Sequence, residues 1–252
     1  MSLTAPLLDW YAREARDLPW RRTRDPYAIL VSEVMLQQTQ VARVVPRYLA
    51  WLERWPDVFA LAGASVADVL AAWIGLGYNR RALRLREACV AVAEGGWPED
   101  LRELPGIGPY TAAAVAAFAF GRHELPVDTN VRRVLERTGW TPSRTPPELG
   151  QAVMELGAMV CRAREAACDR CPVRSGCASA GAVEVAPRRA RGGGAERFED
   201  SNRWVRGRVV EALATGAPLP DGIAPDRLER AVDGLLADGL VERADGELRL
   251  PA

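Results

Sequence analysis

Apolar residues recur at three- and four-residue intervals along most of the first 180 positions, which places them on one face of an α-helix. LLDWYAREA carries this pattern near the start. Asp25 followed by Pro26 marks a cap and a first turn, and YAILVSEVMLQQT continues from there as a helix. PRYLAWLERW, SVADVLAAWIGL and RALRLREACVAVAE are amphipathic in the same way, whereas TAAAVAAFAF is almost wholly apolar and predicts a buried central helix. NVRRVLERTG and ELGQAVMELGAMV complete the series. No alternating stretch competes before residue 200, so the pattern predicts an all-α architecture.

Residues 181–200, rich in Pro, Arg and Gly, lack apolar periodicity and read as a linker. Residues 201–252 then give a helix, RWVRGRVVEALAT, a second, PDRLERAVDGLLADG, and a hairpin around Asp245-Gly246. That order predicts a small winged-helix-like module, which either packs as an appendage or offers a wing to DNA.

The 252 residues include 33 basic and 33 acidic side chains, so nucleic-acid binding would need a local basic face rather than an overall charge. No apolar run is long enough to cross a membrane. Asp9, Glu14 and Asp17 interrupt the start too early for a secretion signal, and the expected location is cytoplasmic. Every residue in the basic count is arginine, so there is no side-chain amine for a Schiff base.

Cys161, Cys168, Cys171 and Cys177 follow the spacing C-x6-C-x2-C-x5-C. With only one C-x-x-C pair, the layout of an all-cysteine zinc site is incomplete, and four thiolates from one short loop suit a [4Fe-4S] cluster. Zinc and two disulfides are the alternatives. The interleaved Arg162, Arg164, Arg170 and Arg174 could balance an anionic cluster or face an outside anion. Cys89, in REACVAVA, reads as an ordinary buried thiol.

In LPGIGPYTA, Gly106 and Gly108 flank one apolar residue ahead of a helix start. Either this is a tight inter-helix turn, or its N–H groups grip a backbone phosphate of duplex DNA. Asp128 precedes the next helix, where Thr129 or Asn130 can cap. The positive helix end favours its ionised form; a cap alone is the alternative reading. Glu33 has Ile29, Leu30, Leu36 and Gln37 as its helical neighbours, an apolar face that raises a carboxyl pKa. One neutral acid and one fixed anion are the pair that cleaves a glycosidic bond through an oxocarbenium-like state.

SEVMLQQTQ, LPGIGPYTA, VDTNVRRVL, ELGAMVC and the cysteine loop, in this order over about residues 7–180, resemble the helix-hairpin-helix (HhH-GPD) DNA glycosylases. MLQQTQ and GLGY resemble the MutY-like adenine glycosylases among them. The resemblance implies a two-lobed fold with duplex DNA between the lobes, one lobe spanning about 39–128 and the other 1–38 with 129–180. It implies a monomeric, nucleoid-associated repair enzyme that removes adenine mispaired with 8-oxoguanine or guanine.

Position by position, Glu33 would protonate the adenine and Asp128 would stabilise the sugar cation, with Asn130 in its network. Gln37 and Gln38 would enter the base stack, and Tyr78 would wedge beside the base opposite. Trp20 and Arg22, in LPWRR, would line the base pocket. Tyr110 stands where bifunctional relatives carry a nucleophilic lysine, so a monofunctional enzyme without lysine-based lyase activity is implied. A thymine or uracil glycosylase acting opposite guanine is the second reading, and a non-catalytic DNA-binding protein the third. The chain departs from the family in Thr129, in Asn79 and in a tail that does not resemble the usual 8-oxoguanine-reading domain.

Overall fold

The computed structural model describes residues 2–183 and 197–251, so most of the expected linker lies outside the described residues. The helices are α1 (Thr4–Glu14), α2 (Pro26–Leu36), α3 (Val41–Arg54), α4 (Val58–Ala62), α5 (Val66–Trp73), α6 (Arg80–Gly95), α7 (Pro109–Phe118), α8 (Thr129–Thr138), α9 (Pro147–Met159), α10 (Asn202–Thr215) and α11 (Pro225–Ala237). Strands β1 (Glu242–Ala244) and β2 (Glu247–Arg249) pair antiparallel. The all-α expectation for the first 180 residues matches the structure. α4, capped by the Asp57 side chain, is too short for periodicity to reveal. α3 starts before the expected segment and carries Pro46 inside it.

Two compact units divide the chain, residues 1–33 with 108–189 and residues 34–107 with 190–252. These bounds differ from the expected lobes, and the C-terminal helices group with 34–107 rather than standing apart.

In the first unit, α1, α8 and α9 close on a core of Leu7, Trp10, Val131, Val134, Val153 and Leu156. α7 packs on α9 and buries Ala114, Val115, Ala116 and Ala117, as its apolar sequence requires. α8 is delimited by Asp128 at its start and by left-handed Gly139 at its end.

In the second unit, Trp51 meets Trp55 and Trp73 edge-on, with ring centres 4.7 and 5.4 Å apart, and α6 lies against α4 and α5. α10 packs on α5 and α11, burying Val205, Val209, Val210 and Leu235. The hairpin turns at Asp245 and Gly246, both with positive φ, as the Asp-Gly signal predicts. Helix, helix, hairpin is the expected order of the tail.

Candidate active site

The Asp25 carboxylate starts α2 by accepting from the N–H groups of Tyr27 at 3.1 Å and Ala28 at 3.3 Å. The helix carries Glu33 into the interior, where the residue is 6 % exposed. Burial lifts its carboxyl to about 7; a hydrogen bond with Tyr110 opposes the rise, and the charge of Asp128 adds to it. Tyr110 lies in the first turn of α7, with its hydroxyl 3.9 Å from Met154 Sδ. Burial, then the charges of Glu33 and Asp128, push its phenol above the ordinary range.

Asp128 is itself the cap of α8, one of the readings of this residue, rather than Thr129 or Asn130. One oxygen accepts from the Val131 N–H at 2.6 Å, the other from Asn130 Nδ2 at 2.9 Å. Asn130 Oδ1 in turn accepts from Arg133 at 2.7 Å, and Arg133 also donates to the carbonyls of Gly157 at 2.8 Å and Cys161 at 2.9 Å. A side chain at position 157 would place its Cβ 2.7 Å from that of Asn130, so glycine is what lets α9 approach this network. Glu33, Tyr110, Asp128 and Asn130 are thus brought together, with one carboxyl in an apolar setting and the other held by N–H donors.

The LPWRR segment is anchored differently from the expectation. Trp20 is buried, but Arg22 is exposed and pairs with Asp17. Arg21 turns inward instead. Together with Arg16 it grips Glu155, which is fully buried, with ion pairs at 2.6 and 2.7 Å. Burial opposes ionisation of Glu155, yet the hydrogen bonds from Arg16 and Arg21 outweigh it and hold the carboxyl at about 2.

In the second unit, Gln38 and Tyr78 are both exposed and both adopt left-handed backbone, with φ of 55° and 51°; Gln37 is half-buried. Such conformations need support from their surroundings. Arg81 supplies it. Its guanidinium donates to the carbonyls of Val34 (2.8 Å), Met35 (3.1 Å) and Gln37 (2.6 Å), and to those of Leu76 (3.0 Å) and Gly77 (2.8 Å). Beside it, Arg80, Arg84, Gln37 and Gly106 line a cavity of about 230 Å³. Gly106 has φ of 73°, and a Cβ there would sit 2.6 Å from the Arg84 side chain. Gly108, extended and exposed, caps α7 without a side chain.

The four loop cysteines are free thiols. Burial raises the Cys171 thiol, and the proximity of Cys161, Cys177 and Cys168 raises it further. Arg137 reaches within 3.5 Å of Cys161 Sγ and donates to the carbonyls of Arg162 at 2.8 Å and Ala163 at 2.9 Å. Among the described residues no three His, Cys, Asp or Glu side chains are gathered as a metal-holding group. The donor set, four thiols with a guanidinium alongside, fits an anionic all-thiolate centre. Cys89 is fully buried, and that burial pushes its thiol up to about 12, as befits an inert core residue.

Sequence reasoning missed Arg16, Arg21, Glu155, Arg81 and Arg133. Most of their partners lie far along the chain or are backbone carbonyls, which leave no local spacing to read; only the Arg133–Asn130 contact, three residues apart on α8, had such a signal.

Residues 31–159 match the HhH-GPD superfamily base excision DNA repair protein family. The adenine DNA glycosylase of Mycolicibacterium smegmatis is 44 % identical over 284 residues, covering 97 % of this chain and 94 % of that protein. The adenine DNA glycosylase of Homo sapiens is 44 % identical over 214 residues, covering 71 % of this chain and 39 % of that protein. The fold is similar to that of a thermostable thymine-DNA glycosylase, with a TM-score of 0.64, 26 % identity, and coverage of 71 % of this chain and 94 % of the other. An endonuclease III in a non-covalent DNA complex shares the fold, with a TM-score of 0.59, 20 % identity, and coverage of 72 % of this chain and 97 % of the other. The chain belongs to the HhH-GPD superfamily of base excision DNA repair proteins, in its adenine DNA glycosylase branch.

Proposed function

We propose that the protein hydrolyses the N-glycosidic bond of adenine placed opposite 8-oxoguanine or guanine in duplex DNA. The observation that carries this reading is the pairing of a buried Glu33 carboxyl, lifted to about 7, with an Asp128 carboxylate held by Val131 N–H and Asn130. Glu33 gives its proton to a ring nitrogen of the extruded adenine, so the glycosidic electron pair leaves with a neutral base. Asp128 faces the oxocarbenium ion that remains, and water adds to the sugar carbon, its proton passing to the Glu33 carboxylate left by the first transfer. Tyr110, hydrogen-bonded to Glu33, orients the acid. Without any lysine the chain carries no side-chain amine for a lyase step, and product release as an abasic site follows.

Gln37 and Gln38 fill the space the extruded nucleotide leaves, which recovers part of the lost stacking, and Tyr78 wedges beside the base opposite. The N–H groups near Gly106 and Gly108 hold phosphates. Trp20, anchored by its neighbour Arg21, lines the base pocket. Cys161, Cys168, Cys171 and Cys177 hold a [4Fe-4S] cluster that cross-links the loop; Arg137 balances its charge. The 44 % identity to an adenine DNA glycosylase favours adenine over the thymine or uracil reading.

The test is single-turnover excision by Glu33→Gln on A:8-oxoG and A:G duplexes. Binding should persist while excision falls by at least about a hundredfold. Wild-type rates would remove Glu33 from the role of acid. Iron analysis of the purified wild-type protein should give about four irons per chain; stoichiometric zinc would remove the cluster.

A further inference from the structure

The Tyr110 hydroxyl has one hydrogen and two acceptors. α7 carries this residue and packs on α9, which presents Met154. The Met154 thioether lies 3.9 Å from the Tyr110 hydroxyl, within reach of an O–H···S hydrogen bond. The same hydroxyl is hydrogen-bonded to Glu33 on α2. Burial and the charges of Glu33 and Asp128 push the phenol above its ordinary range, so it stays protonated wherever the acid works.

The sulfur is held in this place by its helix. Val153 and Glu155, on either side of Met154, are fully buried, and Glu155 is gripped by Arg16 and Arg21. Among the described residues, the titratable groups that bear on Glu33 are Tyr110 from α7 and Asp128 from the start of α8. Glu155 is neutralised by its own two arginines. When Glu33 is ionised, the Tyr110 hydrogen points at the carboxylate and stabilises the anion, which disfavours the acid. When Glu33 is protonated, the phenol oxygen can accept its proton, provided the phenol hydrogen finds another acceptor. A buried O–H without one is costly, and the thioether supplies it.

We infer that Met154 is a positioning residue: by accepting the Tyr110 hydrogen, its thioether stabilises the neutral form of Glu33 and keeps the acid loaded for proton transfer to the base. The inference rests on the reading of Glu33 as the acid of an adenine glycosylase and adds a tuning group to it. Tyr110 loses no proton at any point; its O–H rotates between the sulfur and Glu33. The proton transferred is the one Glu33 carries, and the phenol hydrogen turns back to the carboxylate left behind.

The test is the pH profile of single-turnover excision from an A:G duplex by the full chain, for the wild type, Met154→Leu, Tyr110→Phe and the double variant. Met154→Leu keeps the volume and removes the acceptor. Its midpoint should move to lower pH by about half a unit, with the low-pH plateau retained and the rate at about pH 8 reduced about threefold. Without the Tyr110 hydroxyl there is no hydrogen to accept, so in the Tyr110→Phe background Met154→Leu should leave the midpoint where it is. The carboxyl 13C resonance of Glu33 in the free protein should report the same shifts, and it reads the titration even in a variant too slow to assay. An unmoved midpoint in Met154→Leu, or the same movement with and without the hydroxyl, overturns the inference. So does an equal loss of rate at every pH, which would make Met154 a packing or base contact. If the wild type released no adenine, or its profile stayed flat through about pH 7, the reading of Glu33 itself would fall. A wild-type profile that falls there while Met154→Leu follows it unchanged removes this inference alone.

Discussion

Burial holds Glu33 at about 7, so under the proposed function one proton on this residue governs both the chemistry and part of the stability. The proposed acid works only when protonated, so excision should be fastest below neutrality and fall tenfold per pH unit above about 7. A single-turnover profile from about pH 5 to about pH 9 checks this, and a flat profile above neutrality would contradict it. Stability carries the matching sign. The unfolded carboxyl ionises near 4.5, the folded one only near 7, so the native state loses stability as pH rises through that window. Glu33→Gln removes the titration. The variant should melt like the wild type near about pH 4 and be more stable near about pH 8, by on the order of 3 kcal/mol. That an apolar helical face raises the pKa was legible from Ile29 and Leu30. The Tyr110 partner was not, because it belongs to another helix and no local spacing connects them.

Helix termini decide the next scale. The last carbonyls of α2 have no intrahelical donors, and Arg81 answers those of Val34 and Met35 and that of Gln37 just beyond, while bonding the Leu76 and Gly77 carbonyls on its other side. Burial lowers Arg81 to about 10, which still leaves it charged at neutral pH. A lysine is a point charge on a flexible stem and cannot span both carbonyl groups. Arg81→Lys should therefore cost about 2 kcal/mol in thermal melts and weaken duplex binding through Gln38 and Tyr78, whose left-handed conformations lose their support. Unchanged binding with the expected melting loss would confine Arg81 to stability. The elements themselves were readable from apolar spacing, caps and glycines. α4 was too short to show, and Pro46 concealed the early start of α3.

At the scale of the whole molecule, the tail reads as an independent module from its own apolar positions. The structure assigns it to the compact unit that also contains 34–107. The valines of α10 are consumed in that packing, with Val205 0 % and Val210 1 % exposed. Deleting residues 197–252 should therefore lower the melting temperature by several degrees instead of leaving the core untouched. Calorimetry checks this, and an unaltered transition would restore the picture of a detachable appendage.

The sequence by itself determined the helical class, the cysteine loop, the two carboxyl residues and the absence of any lysine nucleophile. Each of these is carried by residue type and short-range spacing, and local physics translates such signals directly. Only the tertiary structure decided that Arg21 and not Arg22 turns inward, that Asp128 is its own helix cap, and that Arg203 lies on Tyr78. Those outcomes depend on which distant carbonyl, carboxylate or ring happens to lie within hydrogen-bonding or stacking distance. A single arginine offers the same five donors wherever it stands, and packing alone chooses their partners.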